Sequence, residues 1–502
     1  MPAAAKRLLS SSSKAAASLP TAVIPKLNRS VTRIGFGAYR VSDKSHGQAL
    51  RAAIQAGVNI VDTASNFENG MSEEIIGDTV QDMVSSGQVQ RQDLTVITKS
   101  GYLTPADIQS LDANDYVQIN DKSYHGISPR VLERQIATSL ERLKMNRIDI
   151  FMLNAPERML MGKNRRYTSS QLYAEMSESF RYLDSLVADG TIGGYGVCSN
   201  TMALGSAADH VSFPDIRSAC SNSSNFVAIE APFNVFEREA LLSGASPGLS
   251  LPTIAQYAEE NGIYFMTNRP LNAIANGQIR VLVNHALGND KEGSTASEQQ
   301  WIEQLSRSFE KVSRLEADMM SELPAEEENL AAKFVWGQVL SENLARLAQN
   351  HFAARHYLTR QVLPAVEKDV QALKQYAADL GDEDKEAAFD QWISDYRESV
   401  QTLSHDMVNY AYIDTLRKNS ELDRVLNALS PTLGKQSDQG IYSPLSVKAL
   451  RILLANKQIG TVFTGMRQLA YVRDAVYAAQ ESAQHPIRAE ELEDIWQCPI
   501  FY

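Results

Sequence analysis

Eight short runs of β-branched and apolar residues recur along the chain, most of them separated by stretches of helical periodicity. They fall at Thr32–Gly37, Val58–Val61, Leu94–Thr98, Ile148–Leu153, Ile192–Val197, Phe226–Ala231, Ile263–Thr267 and Gly460–Thr464. Helical patterns occupy His46–Ala56, Glu73–Met83, Pro129–Leu143, Gln171–Ala188, Thr253–Asn261, Pro444–Asn456 and Gln468–Ala479, with Gly57 as a stop after the first. Strands that alternate with helices pair in parallel, because a parallel neighbour needs a crossover. Eight of them predict an α/β fold, a closed (β/α)8 TIM barrel. The alternative is an open doubly wound sheet, but no G-x-G-x-x-G follows the first strand.

The alternation stops between Leu271 and Ile441. Ile302, Leu305, Phe309, Val312, Leu315 and Met319 recur at three- and four-residue spacings, as do apolar residues through 334–347, 357–373 and 389–403. This predicts a large all-helical insertion between strand 7 and helix 7, broken near Pro324 and around Gly381-Asp382, with a core of its own. It leaves from the rim where such barrels place their chemistry, so it can cap a pocket or stand clear as a docking surface. The acidic clusters at 326–328 and 382–384 read as solvated faces or helix starts. The domain boundaries that follow are 1–30 for a tail, 31–274 for seven β/α units, 275–440 for the insertion, 441–480 for the last unit and 481–502 for a C-terminal tail.

Candidate chemistry gathers where strands end. Asp62 closes the second strand, Lys99 stands just past the third, and the two are placed to pair at the C-terminal rim of the sheet. Ser72, with Glu73 and Glu74 behind it, is expected to cap the next helix. At the last unit, Gly465 follows a strand and precedes a helix, so backbone N–H groups at that helix start can receive a phosphate. Arg467 and Arg473 add positive charge there, and Arg467 is the better bidentate partner for a 2′-phosphate. On spacing alone both arginines serve equally as surface residues of a capped helix.

Composition narrows the partners. The 502-residue chain carries a net charge of −12, which argues against nucleic acid or an anionic membrane, and no apolar run is long enough to span a bilayer. Three cysteines (Cys198, Cys220 and Cys498) have no metal-like spacing and fit a reducing compartment, and the eight histidines do not cluster. From Met1 to Ser42 there is no acid, and 1–20 is rich in Ala and Ser with interspersed Lys and Arg. That is the composition of an organellar transit peptide, with the mitochondrion favoured, or of a disordered basic tail. Cleavage near Ser30 would remove Lys6, Arg7, Lys14, Lys26 and Arg29 and take the net charge from −12 to −17.

The stretch Asp62-Thr63-Ala64 with Ser72-Glu73-Glu74, followed by Lys99, resembles the aldo-keto reductases over roughly residues 33–271 and 442–479. The resemblance implies an NADP(H)-dependent oxidoreductase acting on a small-molecule carbonyl. It implies that Ser199 and Asn200, at the end of GYGVCSN, hold the nicotinamide carboxamide. Glu230 stands at a position usually filled by Gln, and Asn268 where many members place a stacking tyrosine. Gly465, Arg467 and Arg473 take the phosphates. Two of the four catalytic positions depart from the pattern: Phe67 stands where the proton-donating tyrosine is expected, and Asn154 where the histidine is.

In the family the tyrosine hydroxyl protonates the developing alkoxide, a lysine stabilises its phenolate, an aspartate aims the lysine, and the histidine orients the substrate oxygen. Here Asp62 and Lys99 can form their pair, while Phe67 has no proton to give and Asn154 donates a hydrogen bond without titrating. Losing a proton-transfer group typically removes ~10²–10⁴ of rate. Three readings follow. A displaced hydroxyl, from Tyr39 or Tyr102, takes over; Lys99 itself is the acid; or the barrel binds nucleotide without turnover and serves as a regulatory subunit, with the insertion as the surface for a protein partner. The strongly basic loop Arg158–Arg166 could attract an anionic substrate, though a solvated charge run is the commoner meaning.

Overall fold

The structure is a computed structural model and describes residues 18–165, 167–242, 252–275, 278–285, 298–436 and 442–501. The described chain divides into two compact units. One is formed by residues up to Ala273 together with those from Leu429, the other by Ile274–Ala428.

The first unit is built on β1 (Ile34–Gly37), α1 (His46–Gln55), β2 (Ile60–Asp62), α2 (Met71–Ser85), β3 (Thr95–Ser100), α3 (Pro129–Leu143) and β4 (Ile150–Asn154). There follow α4 (Ser169–Ala188), β5 (Tyr195–Cys198), α5 (Phe213–Ser218), β6 (Phe226–Pro232), α6 (Ile254–Glu260) and β7 (Tyr264–Asn268). The eight strands, with β8 (Thr461–Gly465), close into one parallel ring in the order β5-β6-β7-β8-β1-β2-β3-β4. The sequence expectation of a closed barrel therefore holds, and all eight expected runs supply a strand. Most strand residues are buried on both faces, as a parallel sheet wrapped by helices requires.

The helices start on the chemistry their sequences carry. Ser128 accepts a hydrogen bond from Val131 N before Pro129 opens α3, and Thr168 and Thr253 form reciprocal capping boxes with Gln171 and Gln256. Ser72 does not cap α2. That helix begins at Met71 behind Gly70, whose φ is +91°, and Ser72 sits inside its first turn, bonded to Thr63 Oγ1 (2.8 Å) and to the Ala38 carbonyl (3.1 Å). Glu73 likewise turns inward rather than complementing the helix dipole in solvent. It accepts from Thr98 Oγ1 (2.6 Å) and pairs with Arg142 (3.4 Å).

Below the ring, a hairpin of Thr21–Ile24 and Arg29–Thr32 places Ile24 and Val31 in one apolar cluster with Ile60, Ile97, Ile150 and Phe463. Its turn is pinned: Lys26 Nζ donates to the Phe226 carbonyl (2.9 Å), and Arg29 pairs with Asp149 (3.5 Å). A tail running to residue 30 is thus too long for what the structure holds, because 21–30 is folded onto the barrel. Residues 1–17 of that tail lie outside the described residues. The expected C-terminal tail is also structured in part. A helix at Ala489–Gln497 sets Trp496 against Phe233, 5.6 Å between ring centres, and Glu491 accepts from the Ser430 and Thr432 hydroxyls.

The second unit is helical: α7 (Glu298–Glu322), α8 (Trp336–Leu347), α9 (His351–Tyr357), α10 (Leu363–Asp379) and α11 (Glu383–Leu429). Its core is its own, from Leu305, Val312 and Met319 of α7 through Val366 and Val370 of α10 to Tyr396 and Leu403 of α11. The helix breaks fall near Pro324 and at Gly381, whose φ is +65°, where the sequence put them. Glu383 and Asp384 are exposed in the first turn of α11. Back in the first unit, α12 (Leu445–Leu454) precedes β8, α13 (Leu469–Gln484) follows it, and the helix Ala489–Gln497 becomes α14.

Candidate functional site

Parallel closure brings the C-terminal ends of all eight strands to one rim. Strand register sets Asp62 beside Gly37, Asn154 beside Cys198, and Cys198 beside Glu230. At the centre is a buried charge cluster. Lys99 Nζ donates to Asp62 Oδ1 and to the Thr63 carbonyl (3.3 Å), and lies 3.2 Å from Glu230 Oε2. Asn268 Nδ2 donates to Glu230 Oε1 (2.6 Å) and approaches Cys198 Sγ (3.8 Å). The expected Asp62–Lys99 pair is therefore present, with Glu230 as its third member.

One ammonium between two carboxylates leaves the ionised cluster with an excess negative charge, and none of the three side chains is more than 6% exposed. Burial lowers the Lys99 pKa, but Asp62 and Glu230 more than offset it, so the ammonium is held well above its ordinary range. The Asp62 carboxyl is pushed up to about 8, by burial first and Glu230 second, against the pull of Lys99. A lysine bound this tightly is a poor acid.

The departing positions lie against this cluster. Phe67 opens a short turn after β2, and Lys99 Nζ stands over its ring at 5.5 Å from the centroid. The turn stays tight through two left-handed residues, Glu68 (φ +49°) and Asn69 (φ +56°). Asn154 gives one amide hydrogen to Asn66 Oδ1 (3.3 Å). Of the two hydroxyls considered as substitutes, Tyr102 OH accepts from Arg158 Nε (3.3 Å), and burial raises its pKa. Tyr39 is 64% exposed and packs edge-on against Phe67, 5.1 Å between centres.

Ser199 and Asn200 are turned to a neighbour that sequence reasoning missed. Buried Glu157 accepts from Asn200 N (2.9 Å) and Nδ2 (3.2 Å) and is also held by Ser199, while Arg269 Nη2 donates to Asn200 Oδ1 (3.1 Å). The amide of Asn200 is thus engaged at both ends. Unfilled acceptors lie one and two strands further round: Asn268 Oδ1 and Glu230 Oε2 are buried and receive no hydrogen bond. Glu230 Oε2 meets Lys99 as a charge, without hydrogen-bond alignment. A carboxamide brings two N–H donors, which fits those two acceptors.

At β8, Gly465 is exposed with open space where a Cβ would stand, and Arg467 is half-buried beside it. Burial first and the charge of Arg467 second hold His46, at the start of α1, below its usual pKa. Arg473 is exposed on α13. Open backbone ahead of a 16-residue helix, with a cation alongside, fits a phosphate group.

A second missed residue is His125, in a small sheet of Tyr102–Leu103, Val117–Asn120 and Ser123–His125 inserted after β3. Its Nε2 meets the Asn154 carbonyl at 2.8 Å, and burial keeps its pKa down, at about 4. A Cβ on Gly101 (φ +149°) would lie 2.7 Å from both that carbonyl and His125 Nε2, so the position requires glycine. The signal for it was the β-rich run around Tyr124, outside the barrel periodicity.

In closed (β/α)8 barrels the C-terminal rim, where the lysine–carboxylate cluster lies here, is the face on which enzymes of this fold carry their chemistry. Residues 33–323 match the model of the aldo/keto reductase family, and the chain belongs to that family. Among curated relatives it is 23% identical over 210 residues to an uncharacterized oxidoreductase, YqkF, of Bacillus subtilis, covering 41% of this chain and 54% of that one. It is 27% identical over 195 residues to a D-threo-aldose 1-dehydrogenase of a Pseudomonas species, covering 38% and 54%. The chain thus spans about half the length of these relatives. A solved aldo-keto reductase of Bacillus halodurans, in its holo form, aligns with a TM-score of 0.37 and 17% identity over 58% of this chain and 77% of its own. Another, from Klebsiella pneumoniae in complex with NADPH, aligns with a TM-score of 0.35 and 17% identity over 53% and 73%.

Proposed function

We propose that this barrel binds NADP(H) along its rim, with the nicotinamide end at Glu230 and Asn268 and the phosphates at Gly465 and Arg467, and that tyrosine-dependent carbonyl reduction is impaired. The dinucleotide would supply hydride transfer when bound. The chain's own residues supply two buried acceptors, an open helix start and an adjoining cation. The observation that carries the reading is the Phe67 ring against Lys99, where the family's proton relay needs a hydroxyl. Lys99 is a weak substitute, since Asp62 and Glu230 both favour its charged form. On this reading the protein is a nucleotide-binding member of an oxidoreductase family that serves chiefly as a regulatory or interaction subunit, and the helical insertion is the candidate surface for its partner.

The test is titration of the full chain with NADPH, then incubation with aldehydes, quinones and sugars. Quenching of NADPH fluorescence without turnover supports the proposal, and Arg467→Ala should weaken NADPH more than NADH. Turnover abolished by Lys99→Met or Tyr102→Phe would overturn it in favour of an enzyme with a relocated donor. A second reading has one observation behind it: Tyr39 touches Phe67. Turnover lost in Tyr39→Phe alone would establish that one.

The acid-free, basic amino terminus supports delivery to mitochondria. Cleavage at Ser30 would delete the strand Thr21–Ile24 and the buried Ile24, so we place any cleavage ahead of Leu19. N-terminal sequencing of protein isolated from the organelle checks this.

A further inference from the structure

We infer that Glu230 makes the nicotinamide end of the rim select the oxidised, cationic form of the dinucleotide over the reduced, neutral form. The inference rests on the proposal that NADP(H) occupies this rim, and goes beyond it by assigning a preferred redox state and the residue that sets it.

Lys99 is the single cation paired with Asp62 or Glu230 among the described residues, so two carboxylates share one ammonium. The nearby guanidiniums are engaged elsewhere: Arg269 with Glu237 (3.4 Å) and Asn200, Arg158 with Tyr102. With glutamine at 230, Asp62 and Lys99 would cancel. With glutamate, a negative charge is left over once Asp62 ionises, above about pH 8, in a region almost closed to water, where screening is weak.

The geometry directs that charge. Asn268 takes Oε1 of Glu230, which leaves Oε2 with no aligned donor, and Asn268 Oδ1 beside it is empty as well. Two buried acceptors without donors at the end of adjacent strands form a negative site. The oxidised and reduced dinucleotides present the same adenosine, the same phosphates and the same carboxamide to the protein. They differ in the ring, which carries a positive charge only when oxidised. Every contact at Gly465 and Arg467 therefore cancels from the affinity ratio, and the ratio reports the field at the ring.

Isothermal titration of the full chain with NADP+ and with NADPH at about pH 9, where Asp62 is ionised, measures that ratio. NADP+ is expected to bind at least about tenfold more tightly, the scale of one added charge near a partly screened site. Glu230→Gln should bring the ratio close to one, and Glu230→Asp, which keeps the charge, should retain most of it. A tenfold preference lowers the two-electron potential of the bound couple by about 30 mV. Equal affinities in the wild type, or a ratio that Glu230→Gln leaves unchanged, would overturn the inference while leaving cofactor binding intact. Failure of both nucleotides to bind would overturn cofactor binding and the inference with it. The melting temperature of each variant shows whether it is folded, and Glu230→Asp keeps the test decisive if Glu230→Gln is not.

Discussion

Lys99 Nζ stands over the ring of Phe67, 5.5 Å from its centroid, so a fully buried cation at the barrel rim faces hydrocarbon rather than a phenol. Asp62 and Glu230 hold that ammonium from two other strands of the ring. On the proposed reading, the cation is in place for a proton relay and residue 67 lacks the hydroxyl that would complete it.

Phe67→Tyr supplies it. The ring already rests against the ammonium, so a hydroxyl at its edge needs no rearrangement of the strands. NADPH-dependent reduction of a simple aldehyde is expected to rise by about 10²-fold, the low end of what a positioned proton donor contributes. NADPH oxidation followed by absorbance checks this. Unchanged rates in a variant that still binds NADPH would sink the view that the missing hydroxyl is what limits turnover.

His125 makes the fold sensitive to acid. Burial depresses its folded pKa to about 4, with Arg158 adding to this and the Asn154 carbonyl opposing it, while the unfolded chain protonates near 6.5. The unfolded state thus binds the extra proton first. Stability is full above pH 6.5 and is lost as pH falls toward 4, by about 3 kcal/mol in all. Asp62, raised to about 8, acts with the opposite sign over the same window, but it is present in both proteins of the comparison. Urea unfolding at pH 7 and pH 5 should show a smaller loss in His125→Gln than in the wild type.

Gly101→Ala should cost about 2–5 kcal/mol, from a left-handed backbone together with a collision with Asn154 and His125. Because Gly101 follows directly on β3, the strain falls one residue from Ser100 and two from Lys99. Thermal unfolding should show the loss, and nucleotide titration should show weaker binding.

In the helical unit, Glu316 is buried and accepts from Gly337 N (3.0 Å), the Tyr396 hydroxyl (2.7 Å) and the Trp336 backbone, and burial raises its pKa. Tyr396→Phe keeps the ring stacked on Trp392 but removes one donor. A loss of about 1–3 kcal/mol is expected, measured by chemical denaturation. No loss would mean that water or another donor reaches Glu316.

The barrel was legible because its signal is local: each strand is a run of β-branched residues, and each strand–helix step repeats the same period. The insertion was legible for the same reason, down to the break at Gly381. What escaped depends on contacts distant in sequence. The hairpin at 21–32 reads as a basic tail until Lys26 and Arg29 are seen against Phe226 and Asp149, on the far side of the ring. Ser72 looked like a cap because it opens a helical pattern with Glu73 and Glu74 directly behind it, yet a bond to Thr63 claimed its hydroxyl. Glu230 was noticed as a substitution, but its pairing with Lys99 follows from ring closure and from no local pattern. Glu157 and His125 lie in connecting segments, where periodicity says nothing about which side chains turn inward.

The ring joins β7 to β8, yet Asn268 and Thr461 are separated in the chain by the whole helical unit. A ribosome therefore releases seven strands long before the eighth exists. Until Thr461 emerges, β7 and β1 present open backbone edges to any other nascent chain, and closing so long a gap delays folding far more than it weakens the finished ring. A premature stop anywhere in the helical unit would leave an unclosed sheet, and the cell would meet that product as an aggregate or a chaperone client rather than a shortened barrel.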